Sequence, residues 1–341
     1  MYLVYTTNMG TESLDVLAIG DIVVDDFIRL KEASVHCKLD NDECEICMRW
    51  GDKIPFEFSV RVPGVGNAAN AAVCAARLGL KSALHTYVGA DIFGDECIES
   101  LTKDRLSTAF VEKVPEKHTN YHYVLWYESE RTILIKHEQF TYQFPTLTVL
   151  PSWIYLSSLA AHTLPYHDAI AVFLTAHPEI KLAFQPGTFQ IGTPVEQLHA
   201  LYQRSAIFFC NKEEAMAITG TTTPNVTVLL AQLQALGPKI VIITDGREGA
   251  YCLTEDGTQY FVPLYPDPRP PYERTGAGDA FSAAVVSALA LGKPLEEALL
   301  WGPISSMSVV QAIGAQKGLL TRMQMDQYLH HAPAEYAIKK L

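Results

Sequence analysis

The sequence predicts an α/β protein in three layers, a mainly parallel central sheet flanked by helices, with a small β-sheet lid. Three observations predict it. Apolar runs rich in β-branched or aromatic residues and closed by polar loops alternate with helical patterns along the chain, which implies right-handed βαβ units. Two segments break that alternation with strand-like pieces and no helix between them. Glycine-rich loops open apolar helices, and in open α/β sheets ligands bind beyond the C-terminal ends of the strands.

In chain order, "DVLAIGDIVVDDFI" reads as a short apolar strand ending in Gly20 and three acids, and "HTYVGADIFGDECIESL" as a strand, a Gly/Asp turn and a helix. "SWIYLSSLA", "IKLAFQPG", "SAIFFCNKEEAMAITG" and "KIVIITDGREGAYCL" repeat the strand-and-loop theme, with helical patterns such as "NAANAAVCAARLG" and "PVEQLHALYQRS" between them. Residues 27–61 and 119–136 alternate charged and aromatic positions as strands do. A small sheet covering the site would exclude water during reaction. The chain therefore divides into a core of residues 1–26, 62–118 and 137–341 and a lid of residues 27–61 and 119–136.

Composition excludes several function classes. The formal net charge of −12 argues against a nucleic-acid partner, because phosphate backbones are held by clustered Lys and Arg. It leaves a nucleotide substrate open, since backbone N–H groups and a divalent cation can hold phosphates without a basic surface. The beginning of the chain has no basic segment leading into an apolar one, and no apolar stretch reaches membrane-spanning length, so the expectation is a cytoplasmic protein with no membrane partner. Seven cysteines, an odd number, fit a reducing compartment better than a disulfide framework. Cys37, Cys44 and Cys47, with His36 adjacent, have zinc-like C-x-x-C spacing but lack a second closely spaced pair. The plainer reading is small side chains in a hairpin.

Three motifs carry chemistry. In "VPGVGNAANAAVCAARLG", Gly64 and Gly66 allow close backbone approach, and Asn67 and Asn70 lie three apart at a helix start, facing one side. Asp25 adds a carboxylate that can accept hydrogen bonds from substrate hydroxyls. In "FFCNKEEAMAITG", Asn211 and Glu214 again lie three apart on a first helical turn. A carboxylate there complements the helix dipole, and it can also organise the water shell of Mg²⁺. In "ERTGAGDAF", Gly276, Ala277 and Gly278 lead into an apolar helix, so their free N–H groups form an anion site with Asp279 beside it as a candidate base. The competing structural account is an Asp cap after a glycine turn.

At this point the motifs carry a resemblance. "VPGVGNAANAAVCAARLGLKSALHTYVGADIFGD" and "ERTGAGDAFSAAVVSALALG" resemble the two signature regions of the ribokinase/PfkB family of carbohydrate kinases, "NKEE" its N-x-x-E motif, "TDGREG" its nucleotide-binding turn and "GAQKGL" its C-terminal loop. Order and spacing agree from about residue 14 to about residue 322. The resemblance implies a ribokinase-like fold and an ATP-dependent phosphotransferase. Asp279 would be the catalytic base and Gly276, Ala277 and Gly278 the anion hole. Asn211 and Glu214 would serve Mg²⁺ and the ATP phosphates, and Thr244 and Gly246 would lie against the nucleotide. Asp25, Gly66 and Asn70 match substrate-binding positions, and Asn67 a variable neighbour. The lid would correspond to one through which several members form homodimers.

Departures shape the expectation further. Glu273, followed by Arg274, stands where the family's D-T-x-G-A-G-D begins, an acid that helps hold a monovalent cation in many members, so the longer side chain bears on any use of K⁺. Val23 replaces the asparagine that ribokinases proper carry two residues before Asp25, and "FQPG" puts Gln185 and Gly187 where many sugar kinases have an acid and an amide. The expected acceptor is a small sugar or sugar acid, with ribose itself not the leading candidate. The alternatives are a nucleoside, held by lid aromatics such as Tyr121, Tyr123, Trp126 or Phe27, or a ligand-binding protein that has lost the chemistry.

Overall fold

The computed structural model describes residues 13–37, 44–128 and 130–341. The start of the chain, on which the absence of a leader was argued, lies outside these residues, as does the 38–43 part of the cysteine segment. Ten strands form the central sheet. Their spatial order is Lys339–Lys340, Gln259–Val262, Ala250–Leu253, Val241–Thr244, Ser205–Asn211, Lys181–Phe184, Pro151–Leu156, Leu14–Ile19, Ser82–Gly89 and Val111–Val114. From Val241–Thr244 to Val111–Val114 all neighbours pair in parallel, and the other three strands add antiparallel at one edge.

Strand periodicity sends alternate side chains into two cores. In the first strand Val16 and Ala18 pack on one face with Ala68, Val285 and Trp301, while Leu17 and Ile19 pack on the other with Ile170, Phe184 and Leu230. Helices Asn67–Arg77, Ala277–Ala290 and Leu295–Val309 cover the first face, and Leu164–Ala176, Lys212–Thr219 and Val226–Gln234 the second. The alanine-rich face of Asn67–Arg77 lets it lie close against Ala277–Ala290, so two of the expected motifs become neighbours. "PVEQLHALYQRS" is broken into a 3₁₀ turn, Val195–Gln197, and a short helix, His199–Arg204.

The smaller sheet has four strands in the order Phe56–Val65, Val23–Leu30, Tyr121–Tyr127, Glu130–Lys136. Its middle pair is parallel and the outer pairs antiparallel. "DVLAIGDIVVDDFI" therefore contains two strands, the first in the core and the second in the lid, and Asp25 sits within the lid strand instead of at the end of a core strand. Residues 23–26 and 62–65, assigned to the core from the sequence, pair within this sheet. A separate hairpin, Ser34–Cys37 with Cys44–Cys47, is closed by a Cys37–Cys44 disulfide, where the cysteine count suggested free thiols. No cluster of His, Cys, Asp and Glu able to hold a metal occurs among the described residues. None of the helices there is long and apolar enough to cross a membrane.

Candidate active site

The helix Ala277–Ala290 begins with Gly276 as its N-cap at φ 80°. A Cβ at Gly276 would lie 2.3 Å from the Ala315 Cβ, so only glycine lets the motif loop and the "GAQKGL" loop meet here. Ala277 and Gly278 are already helical and Asp279 is the third residue of the first turn, three positions inside the cap. The opening amides of a helix have no intrahelical acceptor. That of Ala277 makes only a long, 3.4 Å contact to the Arg274 carbonyl.

Asp279 is held from both sides. Asn70 Nδ2 donates to its Oδ2 at 2.8 Å and Gln185 Nε2 to its Oδ1 at 3.0 Å. Each donor is fixed in turn. Gln316, from "GAQKGL", donates to Asn70 Oδ1 at 3.1 Å and to the Gly64 carbonyl at 2.7 Å. The Gln185 Oε1 accepts from the Tyr155 hydroxyl and from Ser282 Oγ. Burial pushes the Asp279 carboxyl above the ordinary carboxylate range, the amide donors from Asn70 and Gln185 pull the other way, and the nearby charge of Asp25 raises it further. A carboxylate so placed can accept a proton from an alcohol near neutral pH.

Asn211 and Glu214 form a reciprocal capping box. Asn211 Oδ1 accepts from the Glu214 N–H at 2.8 Å, and Glu214 Oε2 accepts from the Asn211 N–H at 2.9 Å. The capping account of these residues therefore holds, but the box also faces a cavity of about 160 Å³. That cavity is lined by Asn67, Gln185, Glu214, Thr244, Gly276 and Asp279 among others. Burial raises the Glu214 carboxyl, the Asn211 N–H lowers it and the Asp279 charge raises it. A second, mostly apolar cavity of about 470 Å³ adjoins the first through Arg274 and Ala277, and Gly246, Leu264, Tyr265, Pro303 and Met307 line it. Thr244 and Gly246 thus fall in different cavities, on either side of Ala277. Gly66 caps the helix Asn67–Arg77 at φ 118°, its Cα hydrogen turned toward the Asp21 carbonyl, where a Cβ would come within 2.6 Å.

Sequence reasoning missed several residues of this site. Gln185 was noticed as a departure but not as a partner of Asp279. Arg131, from the lid, lines the smaller cavity with its Nε 3.7 Å from Glu273 Oε1. Beside it Arg274 pairs with Glu130 at 3.6 Å. Two Glu-Arg dipeptides, 130–131 and 273–274, therefore cross-pair lid to motif loop. Glu273 is 2% exposed, and its Oε1 also accepts from Thr275 N at 2.7 Å and Thr275 Oγ1 at 2.5 Å. No local pattern marks Arg131, because its meaning depends on a partner 142 positions away (273 − 131). Of the aromatics considered for a nucleobase clamp, Phe27 and Trp126 are buried in the lid's own packing.

A family model described as pfkB family carbohydrate kinase matches residues 57–322. The chain belongs to that family. It is accordingly a carbohydrate kinase, a phosphotransferase with an alcohol group as acceptor, in a family whose kinases use ATP. It is similar to the ribokinase of Bacillus subtilis, 27% identical over 276 residues that cover 79% of this chain and 88% of that one. The ribokinase of Mus musculus is 28% identical over 273 residues, covering 74% and 79%. Among solved structures, Arabidopsis thaliana ribokinase complexed with ribose and ATP superposes with a TM-score of 0.77 at 19% identity, covering 93% of this chain and 99% of that one. Methanocaldococcus jannaschii nucleoside kinase gives 0.75 at 18% identity, with the same coverage. The ribokinase-like core and lid expected from the sequence are the fold of this pfkB-family chain.

Proposed function

We propose that this pfkB-family kinase transfers the γ-phosphoryl group of ATP to a hydroxyl of a small sugar or sugar acid, with Asp279 as base. The observation that carries the reading is the Asp279 carboxylate, clamped by Asn70 and Gln185 at the mouth of a helix whose free amides share its cavity. The acceptor hydroxyl gives its proton to Asp279, its oxygen bonds to the γ-phosphorus, and the bond from that phosphorus to the bridging oxygen of ADP breaks. The amides of Gly276, Ala277 and Gly278 receive the charge that builds on the equatorial oxygens. Arg131 adds a positive charge from the lid. Thr244 and Asn211 lie on the phosphate side of Ala277, and the apolar cavity beyond Gly246 has the size and lining for a nucleobase.

Mg²⁺ fits this site through water. Glu214 presents a carboxylate to the phosphate cavity, where it would hold the ion through the ion's waters. When bound it would neutralise phosphate charge. K⁺ fits poorly at Glu273, because the Arg131 guanidinium already stands against that carboxylate. Glu273 Oε2 and Arg131 Nε both lack hydrogen-bond partners, and a small closure of the lid joining them would satisfy both. Phe56, Tyr123, Leu134 and Ile135 leave apolar surface exposed on the lid, and a homodimer through it is part of the proposal, checked by light scattering. ADP release with Mg-ATP over a panel of sugars, sugar acids and nucleosides tests the activity, and no release above background with any acceptor would refute it.

A further inference from the structure

Two buried carboxylates, Asp21 and Asp25, and two half-buried imidazoles, His122 and His137, form a line through the acceptor side. His122 Nδ1 lies 3.2 Å from Asp25 Oδ1, and His122 Nε2 lies 3.3 Å from His137 Nε2. His137 Nδ1 lies 3.3 Å from Asp21 Oδ2, and the Tyr142 hydroxyl donates to Asp21 Oδ1 at 2.7 Å. The side chains are at most 14% exposed. His122 comes from the lid strand Tyr121–Tyr127 and His137 follows the lid strand Glu130–Lys136, while Asp21 precedes the lid at the end of the first core strand.

We propose that His122 and His137 share one proton between Asp25 and Asp21, and so make the acceptor site one for an uncharged polyol. The inference rests on the kinase reading and narrows its acceptor. His137 Nδ1 is hydrogen-bonded to the Asp21 carboxylate and so carries hydrogen, and hydrogen on His122 Nδ1, 3.2 Å from Asp25 Oδ1, sets positive charge against that carboxylate without a hydrogen bond to it. The two Nε2 atoms face each other, where two protons would collide and none would oppose two lone pairs. One proton between them is the remaining arrangement. Two carboxylates and one imidazolium leave the cluster with one net negative charge, close enough to Asp279 for Asp25 to act on it electrostatically. Asp25 is 7% exposed and its Oδ1 has no hydrogen-bond donor, since His122 is near enough to balance charge but not aligned to donate. A buried acceptor without a donor is costly, and a substrate hydroxyl supplies one. A substrate carboxylate supplies none and meets like charge, which discriminates against it more strongly than lost contacts would. Arg131 cannot offset this, being engaged with Glu273 on the phosphoryl side. His122 and His137 are thus positioning residues acting through Asp25.

Two measurements test the proposal. Histidine-selective ¹⁵N labelling of the intact protein, read by long-range ¹H–¹⁵N correlation, should show both Nδ1 atoms protonated and a single proton between the two Nε2 atoms. Two doubly protonated rings, or two bare Nε2 atoms, would overturn it. Calorimetric binding and ADP release are then compared for matched pairs: ribose with ribonate, xylose with xylonate, glucose with gluconate. Each acid should bind and react about 100-fold worse than its aldose, and an acid within tenfold of its aldose overturns the acceptor class. Binding of aldoses without any ADP release would count against the kinase reading and leave this one standing. In any aldose that binds, His137→Leu should raise Kd or KM about tenfold with kcat and the KM for ATP within about threefold, and His137→Gln, which keeps a donor for Asp21, should recover most of the loss. Equal affinity in wild type and His137→Leu would remove the positioning role.

Discussion

The phosphoryl side and the lid side of this site are built to different tolerances. The Asp279 carboxylate is held by two core side chains, at 2.8 and 3.0 Å, and each donor is itself anchored. At the lid, Arg131, His122 and Arg274 make contacts of 3.2–3.7 Å that depend mainly on charge. Charge pairs tolerate displacement that hydrogen bonds do not. In the proposed enzyme the core would hold the chemistry fixed, and the lid would select and enclose the acceptor.

The largest test of that division is Asp279→Asn. Turnover should fall by about 10²–10⁴ with acceptor affinity nearly unchanged, measured by ADP release and calorimetry. The same variant should lose the fall in melting temperature that the wild type shows as pH rises through the folded pKa of Asp279, read by thermal melts across pH. Burial raises the Asp279 carboxyl above its unfolded value, so the stability it contributes is present below the unfolded pKa and is lost as pH rises through the folded one. Asparagine removes that pH dependence, while its own NH2 meets one of the two amide donors. Next is Gln185→Leu, which should lower kcat by about 10–100-fold and move the acid limb of the rate profile upward in pH, since the lost donor favoured the charged form. An unmoved limb would mean that Asp279 is not the titrating group. Arg131→Ala should cost about tenfold in kcat/KM, while exchanging K⁺ for choline changes wild-type rates by less than about twofold because a guanidinium already neutralises Glu273. Strong K⁺ activation of the wild type would contradict that. The smallest effect belongs to the Glu130–Arg274 pair, largely exposed, where a double-mutant cycle should give about 0.2–1 kcal/mol of coupling.

Much of the core was legible because its signals are local. Gly276 with Asp279, Gly66 with Asn70, and Asn211 with Glu214 each lie within four residues, and strand-helix alternation placed them at one edge of a parallel sheet. The lid sheet was legible as a break in that alternation, but its parallel pairing of Val23–Leu30 with Tyr121–Tyr127 joins residues about a hundred positions apart. Asp25 was consequently read as a core residue. Gln185, Arg131, Gln316 and the two histidines act through partners on other elements, and a glutamine or histidine in isolation has no pattern that names its partner. The Glu-Arg at 273–274 was visible as an oddity, and only its cross-pairing with Glu130 and Arg131 gives it a physical reason.

Only Gly20, Asp21 and Ile22 separate the first core strand from the lid strand that follows it, so in a closing lid this link would act as a short pivot. In the lid register Asp25, His122 and Ile135 form a row near that pivot, and Arg29, Trp126 and Arg131 a row four residues further out. At about 3.3 Å per residue from Ile22, a swing of about 10° would move the inner row by about 2 Å and the outer row by about 4 Å. On the proposed roles, acceptor contacts near the fulcrum would persist in an open enzyme, whereas Arg131 would travel farthest and arrive last, and substrate would be sorted before the phosphoryl side is enclosed.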